Sequence, residues 1–376
     1  MVVAMLLTLA TGLAIELAFW GSNGRYTISD LPRVFLHRGV GPGAFPYIDR
    51  VIEYPVAAGL MLYAATLIAP SAIGILLVTA AGAGALCVAI TLRFERRFGG
   101  RAWRWALATP LALFAFQNWD VFAIAAMLVG LAAFERHRDT ASGAALGLGA
   151  AIKLFPAVLI PPLVAMRWAR GDRRGARRLA VSGAAVFAAF NLPVMIASPH
   201  GWAWTFAFQS QRHATWGTLW YWAYRSLGVN SVSLANTASF LVMAIGIGSL
   251  TVYAARVRLQ PAAVAAIAVV IFVLSNKVYS PTYDLWLVPF FVLLPIERRL
   301  WLGFCAVDLA IFVNVYGHFH GLQSAGVALA IMPFLVVTRA VILVKLALAS
   351  AHMGDTNPVP TRSANPDLRI ADAART

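Results

Sequence analysis

Apolar runs of about 20 residues recur from one end of the 376-residue chain to the other, and no other feature restricts its fold as strongly. An α-helix needs about 20 residues to cross the hydrocarbon of a bilayer. The runs do not alternate apolar and polar positions, as the strands of a membrane barrel do. Of all residues, 60% are hydrophobic and 12% are charged, a charged fraction far below that of a soluble domain. The sequence therefore predicts an all-α, polytopic membrane protein.

The chain is predicted to contain one integral-membrane domain, residues 1–350, and no soluble domain. Residues 351–376 are polar and contain prolines, so we expect a disordered cytoplasmic tail.

Clusters of arginine and lysine separate the apolar runs, for example at residues 93–104, 135–139 and 167–178, and the last cluster starts at Arg339. If every cluster is cytoplasmic, the chain must cross the membrane and return between consecutive clusters. This arrangement predicts about 12 crossings with both termini cytoplasmic. The turning points on the outer face would be residues 117–120, 153–156, 198–232, 276–284 and 316–321.

Eight cations fall on the outer face in this topology. Several helices that flank the turning points are short, about 12–15 residues, and cannot cross about 30 Å of hydrocarbon. Short helices that meet at polar turns predict a cavity that opens to the outer face. The formal net charge of +15 otherwise follows from the cytoplasmic clusters, so we expect no nucleic-acid partner. The eight cations are Arg25, Arg33, Arg38, Arg50, Lys153, Arg212, Arg225 and Lys277.

Residues 54–92 are apolar over 39 positions, enough for two crossings, although the topology allows one. We assign the crossing to residues 71–92 and expect residues 54–70 in the outer interface or the cavity wall, which makes 21–70 the first outer loop. The alternative, two crossings, would move residues 21–53 to the cytoplasm.

Three segments carry the polar chemistry. The first outer loop holds Asp30, Asp49 and Glu53 and leads into the sequence Glu-Tyr-Pro-Val. The pattern G-x-x-x-G-x-x-x-x-x-K-x-x-P spans residues 143–156 and includes Lys153. The pattern K-x-x-S-P-x-Y spans residues 277–283 and starts at Lys277.

Together these segments resemble glycosyltransferase family 87, membrane mannosyl- and arabinosyltransferases of the GT-C fold that use polyprenyl-phosphate sugars. The resemblance covers residues 26–296 and implies a GT-C-type fold with a functional first outer loop. It also implies that Asp30, which matches the position of the catalytic carboxylate, is the general base. Asp49 and Glu53 are alternatives for that role or for holding the acceptor.

A polyprenyl-phosphate leaving group needs cations, and four outer-face residues are candidates: Lys277, Arg212, His213 and Lys153. Two of them have a structural alternative. Lys277 could extend to the interface and pair with Asp284, and Lys153 could cap the carbonyls of a short helix.

Further polar side chains at the turning points are candidates for binding the sugar or the acceptor. The tryptophan-rich outer segment 198–232 fits a sugar platform, or alternatively an interfacial aromatic belt. His318 is expected to form hydrogen bonds with substrate rather than to bind a metal. The candidates are Asp49, Glu53, Tyr54, Gln117, Asn118, Asp120, Tyr283 and His318.

The sequence and the resemblance together predict an inverting membrane glycosyltransferase. It would move a sugar from a polyprenyl-phosphate donor to a lipid-linked glycan or glycolipid at the outer leaflet of the cell membrane. Mannose is the sugar that we expect. The sequence contains no P-loop, nucleotide-binding fingerprint or DxD-like motif, so we expect no cofactor and no metal. An arabinofuranosyltransferase of the same fold is the first alternative. A transporter or flippase is disfavoured, since the polar groups gather at one-sided turns and no duplicated half is visible.

Overall fold

The computed structural model describes residues 1–20, 28–319 and 321–354, and its regular secondary structure there is entirely helical. The helices of the N-terminal half are α1 (Val2–Ala18), α2 (Asp30–Arg38), α3 (Val56–Ile68), α4 (Ala72–Phe98), α5 (Trp103–Ala106), α6 (Thr109–Phe114), α7 (Asp120–Glu135), α8 (Asp139–Ile152) and α9 (Ile160–Ala169).

The C-terminal half contains four long apolar helices and four shorter helices between them. These are α10 (Arg173–Ala197), α11 (Pro199–Gln211), α12 (Leu219–Ser226), α13 (Val232–Arg256), α14 (Pro261–Ser275), α15 (Phe290–Leu293), α16 (Arg298–Phe319) and α17 (Ala325–Ala351). Short 3₁₀ helices cover Gly99–Ala102, Phe155–Leu159 and Pro281–Trp286.

Five helical segments of the described chain are long and apolar enough to cross a membrane, which makes this a multi-pass membrane protein. They are α4 extended to Ala106, and α10, α13, α16 and α17. Five further apolar helices have 10–17 residues. The expected number of about 12 crossings therefore stays a prediction.

The predicted outer loop, residues 21–70, contains more helix than we expected. Residues 21–27, including Arg25, lie outside the described residues, but α2 and α3 follow within the same loop. Helix α3 packs against α4 and α8, and its 13 residues span about 20 Å, too little to cross the hydrocarbon alone. Residues 54–70 thus contain a helix that packs on the body, and their place in the outer interface or the cavity wall stays a prediction.

The predicted domain boundary at residue 350 stays a prediction. Helix α17 ends at Ala351, and the predicted tail beyond residue 354 lies outside the described residues.

The two glycines of the G-x-x-x-G pattern allow α8 and α10 to pack at backbone distance. A Cβ atom on Gly143 would lie 2.1 Å from the Leu179 carbonyl oxygen, and one on Gly147 would lie 2.3 Å from that of Gly183. No side chain fits in this space, so small residues are required where two helices approach so closely. The contact fixes the direction of α8 and with it the position of Lys153, the residue that ends this helix.

Candidate active site

A cavity of about 950 Å³ lies where the helix breaks meet. Residues from all five predicted turning points contribute to its lining, for example Asn118, Lys153, Thr215, Lys277 and Tyr316. The first outer loop adds Asp30 and the segment 53–55. The structure thus brings segments that are far apart in the sequence to one site, of the volume usual for ligand pockets.

Asp30 lies at the first position of α2, and hydrogen bonds fix this end of the helix. Ser29 caps α2 through its hydroxyl oxygen, which accepts from the Leu31 N–H, and the same hydroxyl bonds to the carbonyls of Phe116 and Gln117. The Asp30 N–H donates to the Gln117 carbonyl at 2.8 Å. The carboxylate is therefore held against the turn that precedes α7.

The Asp30 carboxylate has two side-chain partners. The Tyr54 hydroxyl donates to it at 2.7 Å, and the Arg33 guanidinium lies at 3.6 Å. Burial, and then the charge of Asp30, raise the pKa of Tyr54 well above its ordinary value, so the phenol stays a donor. The helix N-terminus adds partial positive charge, and the carboxylate remains partly exposed to the cavity.

Of the other two loop carboxylates, Glu53 lines the cavity and Asp49 does not. Glu53 forms an ion pair with Arg38 at 2.9 Å. Asp49 is exposed and accepts a hydrogen bond from the Phe45 N–H at 2.7 Å, which stabilises a turn of the loop. The geometry therefore favours Asp30 over Asp49 as the carboxylate that meets a substrate.

The Lys153 ammonium forms an ion pair with Asp120, 3.3 Å from its carboxylate oxygen. Trp286 donates to the same Asp120 oxygen at 2.9 Å. The ammonium also lies near the rings of Tyr54 and Tyr283, with centroid distances of 5.3 and 5.9 Å. Lys153 thus bridges three chain segments at the cavity, instead of capping the carbonyls of α8.

Aromatic rings form a stack that continues from this ion pair. Trp286 lies between Phe155 and Tyr283, with centroid distances of 4.2 and 4.1 Å and nearly parallel planes. Tyr283 is half-buried and lines the cavity, as predicted for a substrate contact. The stack makes this wall rigid, because each ring blocks the rotation of the next.

Gln117 and Asn118, both buried, line the cavity beside Asp30. The Gln117 amide donates to the Tyr316 hydroxyl at 3.1 Å, and the Asn118 side-chain oxygen accepts from the Asp120 N–H. These bonds use only part of each amide's hydrogen-bonding capacity, so both side chains have groups left for a substrate.

Two of the predicted phosphate cations, Arg212 and Lys277, lie together in the lining. The Arg212 guanidinium has one side-chain oxygen partner, Gln209 at 3.3 Å. The Lys277 ammonium donates to the carbonyls of Ser210 and Arg212. Asp284, the alternative partner of Lys277, instead pairs with Arg339 at 3.4 Å.

His213 and His318 do not belong to the cavity lining. His213 is exposed, whereas the ring of His318 packs against Trp216 with centroids 6.0 Å apart. His320 lies outside the described residues.

Arg339 is a cavity residue that the sequence analysis missed. We grouped it with the cytoplasmic C-terminal cations, but it lies in the middle of α17, is 2% exposed and lines the cavity. A charged residue inside a long apolar run indicates a site by itself, since it requires a partner. That signal was present in the sequence.

Beyond the cations the cavity continues between α11 and α13, where apolar side chains lie beside the polar Gln209, Ser210, Asn236 and Ser239. Phe206 and Phe208 line this part from α11, and Phe240 and Met243 line it from α13. Phe240 is 63% exposed although it belongs to the lining, so the cavity is open at this point of α13. We call this part the apolar arm.

Comparison with known proteins gives one assignment. The sequence model of glycosyltransferase family 87 matches residues 53–276, more than half of the chain. The chain belongs to glycosyltransferase family 87. It is therefore a membrane glycosyltransferase, and such an enzyme uses lipid-linked substrates in the bilayer. A search of the curated proteins found no match. The match begins at residue 53 and ends at residue 276, so it covers neither Asp30 nor Lys277 and Tyr283. Trp286 and Arg339, also outside it, join the site through the structure alone.

The Lys153–Asp120 pair leads to a prediction that separates stability from activity. Lys153→Met leaves a buried carboxylate unpaired and should destabilise the protein by about 3–5 kcal/mol. Lys153→Met combined with Asp120→Asn removes both charges, so thermal unfolding should return close to that of the wild type. Sugar transfer by the double variant should stay low, because Lys153 also lines the cavity. Full activity in a stable double variant would mean that the pair serves folding only.

Proposed function

We propose that the protein transfers a sugar, most simply mannose, from a polyprenyl-phosphate donor to a glycolipid or lipid-linked glycan, with inversion and with Asp30 as the general base. The observation that carries this proposal is the arrangement of one cavity, in which a partly exposed carboxylate faces a group of cations and an apolar arm. Each of these parts suits one component of such a reaction.

Asp30 suits the role of base because its own partners leave the carboxylate accessible. Tyr54 and Arg33 orient it, and the N-terminus of α2 stabilises its negative charge. In the reaction Asp30 takes the proton of the acceptor hydroxyl while the oxygen attacks the anomeric carbon. The bond between that carbon and the phosphate oxygen breaks as the new glycosidic bond forms.

The cations suit the leaving group, which departs as a polyprenyl phosphate with growing negative charge. Arg212 is the residue best placed to meet it, since no carboxylate pairs with its guanidinium among the described residues. Lys153 and Lys277 add positive charge in the same cavity, although their ammonium groups already have partners. Fixed charges of this kind stabilise a transition state without having to reorganise.

The apolar arm suits the prenyl chain of the donor. Its aromatic and methionine side chains offer apolar surface, with a few amide and hydroxyl groups of the same helices beside them, and the exposed Phe240 provides a path towards lipid. Glu53, Tyr54, Gln117, Asn118 and Tyr283 lie at the polar end and are the proposed contacts to sugar and acceptor, with Asp120 supporting them through Lys153.

The site would lie on the outer, exoplasmic side of the cell membrane, in a GT-C-type fold. The support is the positive-inside rule, which places the basic clusters at 93–104 and 167–178 in the cytoplasm. An arabinofuranosyl donor fits the same arrangement of cations and base and stays the alternative for the sugar.

Replacing Asp30 by Asn tests the proposed base. The amide keeps the shape but takes no proton, so the rate of transfer should fall about 10²–10⁴-fold while the protein still purifies as a folded monodisperse species. Asp49→Asn is the matched control, an aspartate of the same loop outside the cavity, and should stay within about twofold of wild type. If Asp49→Asn is inactive and Asp30→Asn is not, the base is Asp49.

Labelling in intact cells tests the side of the membrane. Ser210→Cys, exposed on α11 beside the cavity, should react with an impermeant thiol reagent. Thr140→Cys, exposed at the start of α8 beside a basic cluster, should react only after permeabilisation. The wild type is the blank, since Cys87 and Cys305 are buried. The reverse pattern would place the site in the cytoplasm.

A further inference from the structure

The segment between α11 and α12, residues 212–218, forms one wall of the cavity without regular secondary structure. We call it the linker. Arg212, Thr215 and Trp216 of the linker all line the cavity. A segment of this kind keeps its shape only if its backbone groups find partners elsewhere.

The segment 277–279 supplies the first set of partners. The Thr215 N–H donates to the Lys277 carbonyl at 3.0 Å, and the Thr215 hydroxyl accepts from the Tyr279 N–H at 3.1 Å. The Lys277 ammonium donates to the carbonyls of Ser210, at 3.2 Å, and of Arg212. The two segments are thus joined by both backbone and side-chain bonds.

Arg339 supplies a second partner from α17. One guanidinium nitrogen donates to the Gly217 carbonyl at 2.5 Å, and another pairs with Asp284 at 3.4 Å. The guanidinium also lies over the Tyr279 ring, 3.6 Å from its centroid, and the Tyr279 hydroxyl donates to Asp284 at 2.6 Å. Arg339 is therefore fixed on all sides, with the linker carbonyl as one of its partners.

Lys277 and Arg339 are both buried, and both donate to backbone carbonyls of the linker or of the end of α11 that leads into it. Lys277 is only 6% exposed, and it forms no ion pair with a carboxylate of the described chain. Burial, together with the charge of Arg212, lowers the pKa of its ammonium. Burying a lysine without an acidic partner costs free energy of desolvation, which its hydrogen bonds must offset. For Lys277 these hydrogen bonds are the ones to the carbonyls of Ser210 and Arg212.

We propose that Lys277 and Arg339 are positioning residues that hold the linker in place and so keep Arg212 and Trp216 at the cavity. This inference rests on the proposed function for its catalytic meaning. In this role Lys277 acts on the donor indirectly, by fixing the backbone that carries Arg212. Loss of either cation releases the linker, while loss of the Arg212 side chain removes a phosphate contact and leaves the linker fixed.

Hydrogen–deuterium exchange of the linker tests this directly in the full-length protein reconstituted in lipid nanodiscs. Lys277→Met keeps the length of the side chain but removes its donors, so the amides of Thr215 and Thr218 should exchange at least about tenfold faster. Lys277→Arg restores donors and should recover most of the protection. Arg212→Met is the matched control and should leave exchange of the linker unchanged.

Arg339 is tested in the background of a second substitution, because its removal alone leaves Asp284 buried and unpaired. Arg339→Met combined with Asp284→Asn keeps the charge balance and should also speed linker exchange, without changing exchange in α8. Exchange within twofold of wild type in this variant and in Lys277→Met would overturn the proposal.

Kinetics separate this inference from the proposed function, since the exchange result needs no active enzyme. Lys277→Met should raise the KM for the polyprenyl-phosphate donor and lower kcat, and Lys277→Arg should reverse most of both. If Lys277→Met speeds exchange of the linker but the wild type transfers no sugar, the proposed function is contradicted and the positioning role is kept.

Discussion

Hydrocarbon accepts neither unpaired backbone groups nor unpaired charge, and the structure gathers both around one cavity. The helix breaks at 115–119, 153–154, 212–218 and 276–280 expose carbonyls and N–H groups, and buried side chains satisfy many of them. Two of the cations at the same place have carboxylate partners, Lys153 with Asp120 and Arg339 with Asp284, whereas Lys277 donates to backbone carbonyls. The cavity thus collects these four irregular segments in one protein-lined space.

The all-helical membrane architecture could be predicted from the apolar runs alone, and so could the segments that meet at the cavity. Polar residues between short helices identify such segments, because they have no other favourable place in an apolar chain. Asp30, Lys153 and Lys277 were found in this way, with the help of the family resemblance. Pairings between distant residues could not be predicted, since they depend on how the helices pack.

Arg339 and the linker illustrate that limit. The positive-inside rule counts an arginine near the C-terminus as cytoplasmic, yet Asp284 and the Gly217 carbonyl hold it at the cavity. Likewise, Lys277 has the charge expected of a phosphate ligand, but its nearest acceptors are backbone carbonyls. The type of a residue indicates which interactions it can make, and only the packing decides which partner it contacts.

The central claim is that this cavity accepts a sugar carried on a lipid phosphate. The most direct measurement uses the purified protein in nanodiscs and a glycolipid extract as acceptor. Three labelled donors are tested in turn: polyprenyl-phosphate mannose, polyprenyl-phosphate arabinofuranose and a nucleotide-linked mannose. We predict labelled glycolipid and free polyprenyl phosphate from one of the two lipid donors and none from the nucleotide sugar. Transfer from the nucleotide sugar, or from neither lipid donor, would contradict the claim.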